Sequence, residues 1–498
     1  MAETKREIER KYEADDSGLP DLTGVGPVAA VLDRGLTELD ATYYDTPDQR
    51  LAAASITLRR RTGGADAGWH LKLPVAPDIR DEIRAPLADT LPAELAALVR
   101  SRVRGAELVP LVRLRTARTV RHLVDADGAL LAEASVDAVT AERLTGAGGT
   151  AEWTEIELEL ADGGDPALLD RVEKRLVKAG VRPSAAPSKL ARALARTGAR
   201  RGPAAPAEPV TAGDHVLAYL RAQRDALVAL DPAVRLDTPD AVHRMRVATR
   251  RARGTLRTFR SVLDRAATDP VAAELKWLAG ELGVDRDQEV LADRLTTALD
   301  ALPPALALGP VHDRLTAWAR ARRAGAHGHL TGVLDSPRHL SLLNSLDALL
   351  ADPPLRAAAT RKPRKVLGKA VRKDLARLTT RVERALRLPP GEERDLALHE
   401  ARKKAKRARY AAEAATPALG APAAELTAAM KTLTTLLGDH QDSVMARKAL
   451  RELAAVAHAA GENAFPYGVL YGREEARAAA AEAELPDRWR AAGARFPR

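Results

Sequence analysis

The chain has 498 residues, too many for one ordinary core, so two or more domains are expected. It carries a net charge of +10, has no cysteine and is only 3% aromatic. Disulfides and thiolate metal sites are therefore excluded, and stacking on single-stranded bases is disfavoured. No run of 18 apolar residues occurs, and no apolar stretch follows the N-terminal charges, so a cytoplasmic protein without a membrane partner is expected. Residues 1–200 hold 29 Lys/Arg against 32 Asp/Glu, and residues 211–498 hold 48 against 35. The second part is the candidate polyanion binder.

In chain order, the first two hundred residues read as strands. Arg6 to Tyr12 places Glu7, Glu9 and Lys11 on one face and Ile8 and Tyr12 on the other, because side chains alternate with period 2. Ala41 to Asp45 is β-prone and stops at Thr46-Pro47-Asp48. Ser55 to Arg61 puts Arg59 and Arg61 on one face and Leu58 and Arg60 on the other, and Trp69 to Leu73 puts His70 and Lys72 together. Arg80, Glu82 and Arg84 alternate, a helix is expected over 92–104, and Arg113 and Arg115 share a face with Arg118 beyond. Asp127-Gly128 signals a hairpin. After it come Glu133, Ser135 and Asp137 on one face, then Glu155, Glu157 and Glu159 opposite Ile156, Leu158 and Leu160. About eight short-connected strands, each with an apolar and an ionisable face, are consistent with an eight-stranded antiparallel barrel around a charged lumen. Arginine forks match phosphate oxygens, and clustered carboxylates hold Mg²⁺ or Mn²⁺, so such a lumen suits a linear oligophosphate with metal.

Glu7-x-Glu9-x-Lys11, Tyr-Tyr-Asp-Thr-Pro at 43–47, Leu58-Arg59-Arg60-Arg61, Leu71-Lys72, Arg113-x-Arg115, Glu155-Ile-Glu157 and Ser188-Lys189 together resemble a CYTH domain, the triphosphate tunnel metalloenzyme family. The resemblance spans roughly 3–198. It implies an enzyme, with hydrolysis of inorganic triphosphate, thiamine triphosphate or RNA 5′-triphosphates, or cyclisation of ATP, as the family's reactions. Lys11, Arg59, Arg61, Lys72, Arg84, Arg113, Arg115 and Lys189 would meet phosphates, and Glu7, Glu9, Asp137, Glu155 and Glu157 would hold metal. Lys11, Arg59, Arg61, Lys72 and Glu157 would carry catalysis.

Gly198 to Val210 is rich in Pro, Ala and Gly and is expected to be a linker at 201–210. Strand signals then give way to helical periods. His243, Arg246, Arg250, Arg253 and Arg257 are spaced 3, 4, 3, 4, one helix face. His399, Arg402, Lys406 and Arg409 repeat the pattern, with Lys403 beside them. Downstream of each stripe lies a matched segment: Leu275-Lys276-Trp277-Leu278 leads to Leu282-Gly283 and Asp287, and Met430-Lys431-Thr432-Leu433 leads to Leu437-Gly438 and Asp442. An internal duplication of helical bundles is expected, with halves about 211–350 and 360–498. A further helix is expected over 365–386, with Lys365, Lys369 and Arg372 on one side.

These marks resemble a CHAD domain over about 211–498. The resemblance implies binding of inorganic polyphosphate through His243, Arg246, Arg250, Arg253, Lys276, His399, Arg402, Lys403, Lys406 and Lys431, and association with polyphosphate granules. The expectation is therefore an α+β chain of two domains, 1–200 and 211–498. Its barrel hydrolyses triphosphate with Mg²⁺ or Mn²⁺, and its all-α part holds polyphosphate. A polyphosphate binder without turnover, a nucleotide-acting barrel and a nucleic-acid binder are the rivals.

Overall fold

The computed structural model describes residues 3–14, 18–146, 148–198, 208–323 and 326–493. The chain divides into two compact units, 1–206 and 207–498. Most of the expected linker, 201–207, lies outside the described residues.

The first unit contains β1 (Glu3–Glu13), β2 (Ala30–Asp45), β3 (Thr57–Thr62), β4 (Gly68–Ala76), β5 (Ile79–Pro86), α1 (Ala93–Val103), β6 (Val109–Val124), β7 (Leu130–Arg143), β8 (Thr150–Leu160), α2 (Ala167–Lys178), β9 (Arg182–Pro183) and α3 (Lys189–Arg196). Neighbours run in the order β5-β4-β3-β2-β6-β7-β8-β1, and β1 pairs again with β5. The first half of β1 pairs with β5 (Glu7 opposite Arg80) and its second half with β8 (Lys11 opposite Glu157). One strand thus serves both edges and closes eight antiparallel strands into a ring without free edges.

The apolar faces of this ring point outward. Leu58, Leu71 and Ile83 pack under α1, against Leu95, Leu98 and Val99. Tyr12, Ile156 and Leu158 pack under α2, against Leu169, Val172 and Leu176. The inner face is apolar in one sector only. There Leu190, Ala193 and Leu194 of α3 meet Ala41, Tyr43, Leu114, Val139 and Ala141, with α3 plugging that end of the ring. The rest of the inner face carries the ionisable side chains.

The second unit is helical: α4 (Ala212–Arg235), α5 (Ala241–Thr258), α6 (Arg265–Asp300), α7 (Val311–Arg323), α8 (Ala326–Asp335), α9 (Pro337–Ala351), α10 (Pro363–Arg387), α11 (Glu392–Leu419), α12 (Ala421–Ala459) and α13 (Phe465–Gly493). The series α4, α5, α6 is repeated as α10, α11, α12. Both halves feed one core, in which Met245, Ala252 and Leu256 of α5 pack with Ala401, Ala405 and Ala408 of α11. Alanine on α11 permits the close approach of these two helices, which brings the two basic stripes together. No described helix is long and apolar enough to cross a membrane.

Candidate functional site

In the first unit a cavity of about 360 Å³ lies inside the ring. Alternation delivers Lys5, Glu7, Glu9 and Lys11 from β1, Arg59 and Arg61 from β3, Lys72 from β4, and Arg80, Glu82 and Arg84 from β5. Arg60, one residue out of phase, points outward and donates to the Ala88 carbonyl at 2.9 Å. Nine Lys/Arg and eight Asp/Glu line the cavity, so cations and acids are nearly balanced and largely paired.

Two acidic clusters organise it. In one, the Lys189 ammonium stands among Asp137 (2.8 Å), Glu155 (2.9 Å) and Glu157 (2.5 Å). One oxygen from each of these three carboxylates lies within 4.8 Å of the others. Arg118 binds Asp137 at 2.7 Å and Glu157 at 2.6 Å, and Lys11 contacts Glu157 closely. In the other, Lys72 bonds Glu7 (2.5 Å) and lies 3.7 Å from Glu82, while Arg84 bonds Glu82 (2.5 Å) and His70 Nδ1 lies 3.0 Å from it. An all-oxygen donor set that already holds a cation at its centre fits a hard divalent ion such as Mg²⁺ or Mn²⁺.

The electrostatics follow from burial and pairing. Burial, with Glu82, Glu159 and Glu9 added and Lys72 opposing, pushes the Glu7 carboxyl up to about 7. Against burial, Lys11 and Lys72 hold Glu9 down at about 2. Glu157, against burial, is held well below the usual carboxylate range by Lys11, Lys189 and Arg118. Burial first, and then Arg59 and Arg118, push Arg61 down to about 9, although its guanidinium contacts Asp66. Asp45 is structural. Its carboxylate accepts from the Thr46, Leu51 and Ala52 backbone N–H groups and fixes the turn after β2. Tyr43 supports Arg59, whose Nη1 donates to its hydroxyl at 3.2 Å.

The structure thus brings Glu7, Glu9, Lys11, Arg59, Arg61, Lys72, Arg84, Asp137, Glu155, Glu157 and Lys189 together. Arg113 and Arg115 are a correction. Arg113 is engaged by Asp40 at 2.5 Å, away from the cavity, and Arg115 is exposed. The inward face of β6 is the other one, Leu114, Thr116 and Arg118, because α3 needs an apolar lining at Leu114. Arg118 is the tunnel residue missed by reading the charged pair as the inner face. In the fold it stands opposite Asp137 on β7. Glu82 and Arg80 also line the cavity.

In the second unit a groove of about 940 Å³ is lined by both stripes: His243, Arg246, Arg250, Arg253 and Arg257 of α5, and His399, Arg402, Lys403, Lys404, Lys406 and Arg407 of α11. Lys276 and Arg294 join them from α6. Eleven Lys/Arg face only Asp287, Glu400 and Asp442 among the described lining residues. Burial, then Arg402, Arg250 and Arg246, push Lys406 down to about 7. His399 is lowered by burial first and then by Lys403. The Nε atoms of Arg246, Arg250, Arg253 and Arg402 are buried without an acceptor. Lys431 is a further correction: it is exposed on α12 and does not line the groove, although its counterpart Lys276 does. Arg294, Lys404, Arg407 and Tyr410 are lining residues outside the stripe spacing, and Arg257, the last residue of the first stripe, lines the groove although it was not expected as a ligand.

The duplicated Leu-Gly-x-x-x-Asp segments have a physical purpose. A Cβ at Gly283 would stand 2.8 Å from Arg246 Nη2, and one at Gly438 would stand 3.3 Å from Arg402 Nη2. Each glycine is a flat bed for a guanidinium. One turn on, Asp287 holds the Arg246 fork at 2.7 and 3.0 Å. A second cluster of metal-ligand types, Asp395, His440 and Glu482, is instead an ionic stitch of α11, α12 and α13, because Arg447 (3.1 Å) and Arg394 (3.0 Å) already neutralise its carboxylates.

Family models match this chain in two places: a CYTH domain over residues 5–193 and a CHAD domain over residues 218–451. Two chains of Mycobacterium tuberculosis, uncharacterized proteins MT2285 (strain CDC 1551 / Oshkosh) and Rv2226 (strain ATCC 25618 / H37Rv), are each 41% identical over 486 residues, covering 94% of this chain and 92% of theirs. Among solved structures, PptA from Streptomyces chartreusis is 25% identical and covers 57% of this chain and 100% of its own, with a TM-score of 0.47. The CHAD domain from the plant Ricinus communis is 24% identical over 58% of this chain and 93% of its own, with a TM-score of 0.44. The chain belongs to the family in which a CYTH domain is followed by a CHAD domain.

Proposed function

We propose that the ring, residues 1–200, is a metal-dependent triphosphatase acting on inorganic triphosphate or a short polyphosphate, and that the helical part, residues 211–498, binds polyphosphate. The observation that carries this reading is the contrast in charge balance. The tunnel pairs nine cations with eight acids, so a phosphate chain enters with a compensating metal cation, whereas the groove holds eleven cations against three acids and takes a polyanion alone.

Within the tunnel, Lys11, Arg59, Arg61, Lys72, Arg84 and Arg118 spread the charge of the transferred phosphoryl group. Asp137, Glu155 and Glu157 would hold one Mg²⁺ or Mn²⁺, and Glu7 and Glu9 a second. When bound, the metal polarises the phosphate oxygens and activates water. Lys189, now seated among these three carboxylates, would compete with a metal for them and could neutralise a phosphate oxygen beside them. Tyr43 is the sole aromatic among the described lining residues and its hydroxyl is engaged by Arg59, which disfavours a nucleobase. On this reading the protein concentrates at polyphosphate granules in the cytoplasm.

The alternative, a tunnel that binds without turnover, is favoured by the ammonium already seated among the carboxylates. One assay separates the two: phosphate release by the full chain from triphosphate, ATP, thiamine triphosphate and long polyphosphate, with Mg²⁺ or Mn²⁺. Triphosphate turnover is expected, abolished by chelator and reduced on the order of 100-fold by Glu157→Gln. Equal release with and without chelator overturns the reading.

A further inference from the structure

Two cavities meet in the ring. One is the tunnel described above. The other, of about 700 Å³, lies where β4 turns into β5 and the chain approaches α3: Pro74 to Arg80 and Pro183 to Pro187 line it, together with Ser55, Arg10 and Glu173. Glu9, Lys11 and Arg80 line both cavities, so their side chains form the partition. Glu9 and Lys11 bond each other at 3.0 Å. Arg80 reaches further.

The Arg80 side chain, 11% exposed, crosses the junction from wall to wall. Its Nη1 donates to the Ser55 carbonyl at 3.0 Å and its Nη2 to the Pro187 carbonyl at 2.7 Å. Ser55 and Pro187 line the second cavity, while Thr57 and Ser188, just beyond them in the chain, line the tunnel. The guanidinium thus spans the opening at the level where one cavity becomes the other. Carbonyl acceptors leave its charge uncancelled, and of its five N–H donors three remain. Glu9 stands 3.9 Å from Nε, beyond hydrogen-bond reach.

An arginine between two carbonyls is ordinarily a staple of the fold. This one is marked by the charge on its two sides. The tunnel side holds Lys11, Arg59 and Lys72. On the far side, Arg10 is the only Lys or Arg, among the described residues, that lines the second cavity alone. It is already held by Asp78 (3.2 Å), Asp170 (2.8 Å) and Glu173 (3.4 Å), and Asp78 and Glu173 line that cavity with it. A phosphate chain passing Arg80 would exchange a cationic wall for one with an acid excess, so the potential halts it where the guanidinium stands.

We propose that Arg80 is the stop of the tunnel: it seats the terminal phosphate of a linear chain, so that hydrolysis falls at a fixed distance from the chain end and the second cavity stays free of phosphate. This specificity determinant rests on the triphosphatase reading of the tunnel and narrows the substrate to chains presented end-on. A terminal phosphate carries more negative charge than an internal one, which suits Arg80 and Lys11 at this end. The reaction is ordinary hydrolysis: water adds to phosphorus, the P–O–P bridge breaks, and the proton lost by the water passes to the leaving phosphate.

The test uses the full chain with Mg²⁺ and linear polyphosphate of one defined length, in wild type and Arg80→Ala, with initial products separated by length. The wild type should yield a single pair of product lengths. Arg80→Ala, with an unchanged melting temperature, should yield a mixture, its share of internal cleavage raised about tenfold, within the range that pocket contacts command. The helical groove is present in both and cancels in the comparison. A mixture from the wild type, or slower turnover by the variant with the same single pair, overturns the stop. A second readout does not depend on turnover. The chain has no cysteine, so Ala186→Cys places a lone thiol on the wall of the second cavity. Its alkylation by iodoacetamide should proceed equally with and without saturating triphosphate or long polyphosphate. In Ala186→Cys/Arg80→Ala, long polyphosphate should slow it and triphosphate should not. Protection of the single variant by long polyphosphate would show the chain crossing Arg80 and overturns the stop. Absence of triphosphate turnover by the wild type would instead overturn the triphosphatase reading on which the stop depends.

Discussion

At Gly283 the absence of a side chain does the positioning. The Arg246 guanidinium rests where a Cβ would otherwise come within 2.8 Å. Gly283→Ala should therefore stabilise the interior of α6 by about 0.5–1 kcal/mol, because alanine is the better helix former. The same change displaces Arg246 and should weaken polyphosphate binding about tenfold, the cost of one charge-assisted hydrogen bond. Melting temperature and a binding titration measured together check this; lower stability or unchanged affinity contradicts it. Lys406 supplies a pH signature. Burial, Arg402, Arg250 and Arg246 push it down to about 7, whereas in the unfolded chain a lysine titrates near ~10.4. Between those values the unfolded state binds more protons. The destabilisation is thus fully present below pH 7 and is relieved as pH rises through that window. A polyanion in the groove reverses the repulsion and returns the proton. Binding at pH 8 should take up as much as one proton, read by calorimetry in buffers of different ionisation heat, and Lys406→Met should abolish most of that uptake.

Among the elements, β6 and α3 decide the site between them. β6 has two faces that each contain arginine: Arg113 and Arg115 on one, Arg118 on the other. α3 settles the choice, since Leu190, Ala193 and Leu194 require Leu114 on the inner face, and Arg118 comes inward with it. Arg118→Ala is expected to weaken triphosphate binding by about 2–5 kcal/mol, as for other buried charge-assisted contacts. Arg113→Ala and Arg115→Ala should change it little. The same comparison within β3 sets Arg59 and Arg61, which line the cavity, against Arg60, which does not. A triphosphate titration of these variants checks both registers. If Arg113 proved more sensitive than Arg118, β6 would be displaced by one residue.

For the molecule as a whole, the two units treat charge oppositely. The ring encloses almost equal numbers of cations and acids and covers its apolar outer face with α1 and α2, so its ionic interior is preorganised before any ligand arrives. The helical unit leaves a cationic excess uncompensated in an open groove, where burial first and then like-charge repulsion push Lys406 down and hold Arg250 below its ordinary value. Repulsion of that kind is relieved by loss of the Lys406 proton or by an anion among the cations, and the denser the anion the greater the relief.

Much of this organisation is legible in the sequence, because it depends on local period and composition. Alternation assigns Glu7, Glu9 and Lys11 to one face and Arg59 and Arg61 to another. The 3-4 spacing aligns His243 with Arg246 and Arg250, and the change from strand to helix period separates the two units. Pairings between distant segments carry no such local signal. Only the folded chain shows that α3 makes one sector of the ring interior apolar and so turns Arg118 inward and Arg113 outward. Only the fold shows that α5 and α11 cross at alanines to merge two stripes, and that Lys276 reaches the groove while Lys431 does not. The reason is that an inner or outer position on a long strand, and the convergence of helices some 156 residues apart, are set by packing partners and not by neighbours in sequence.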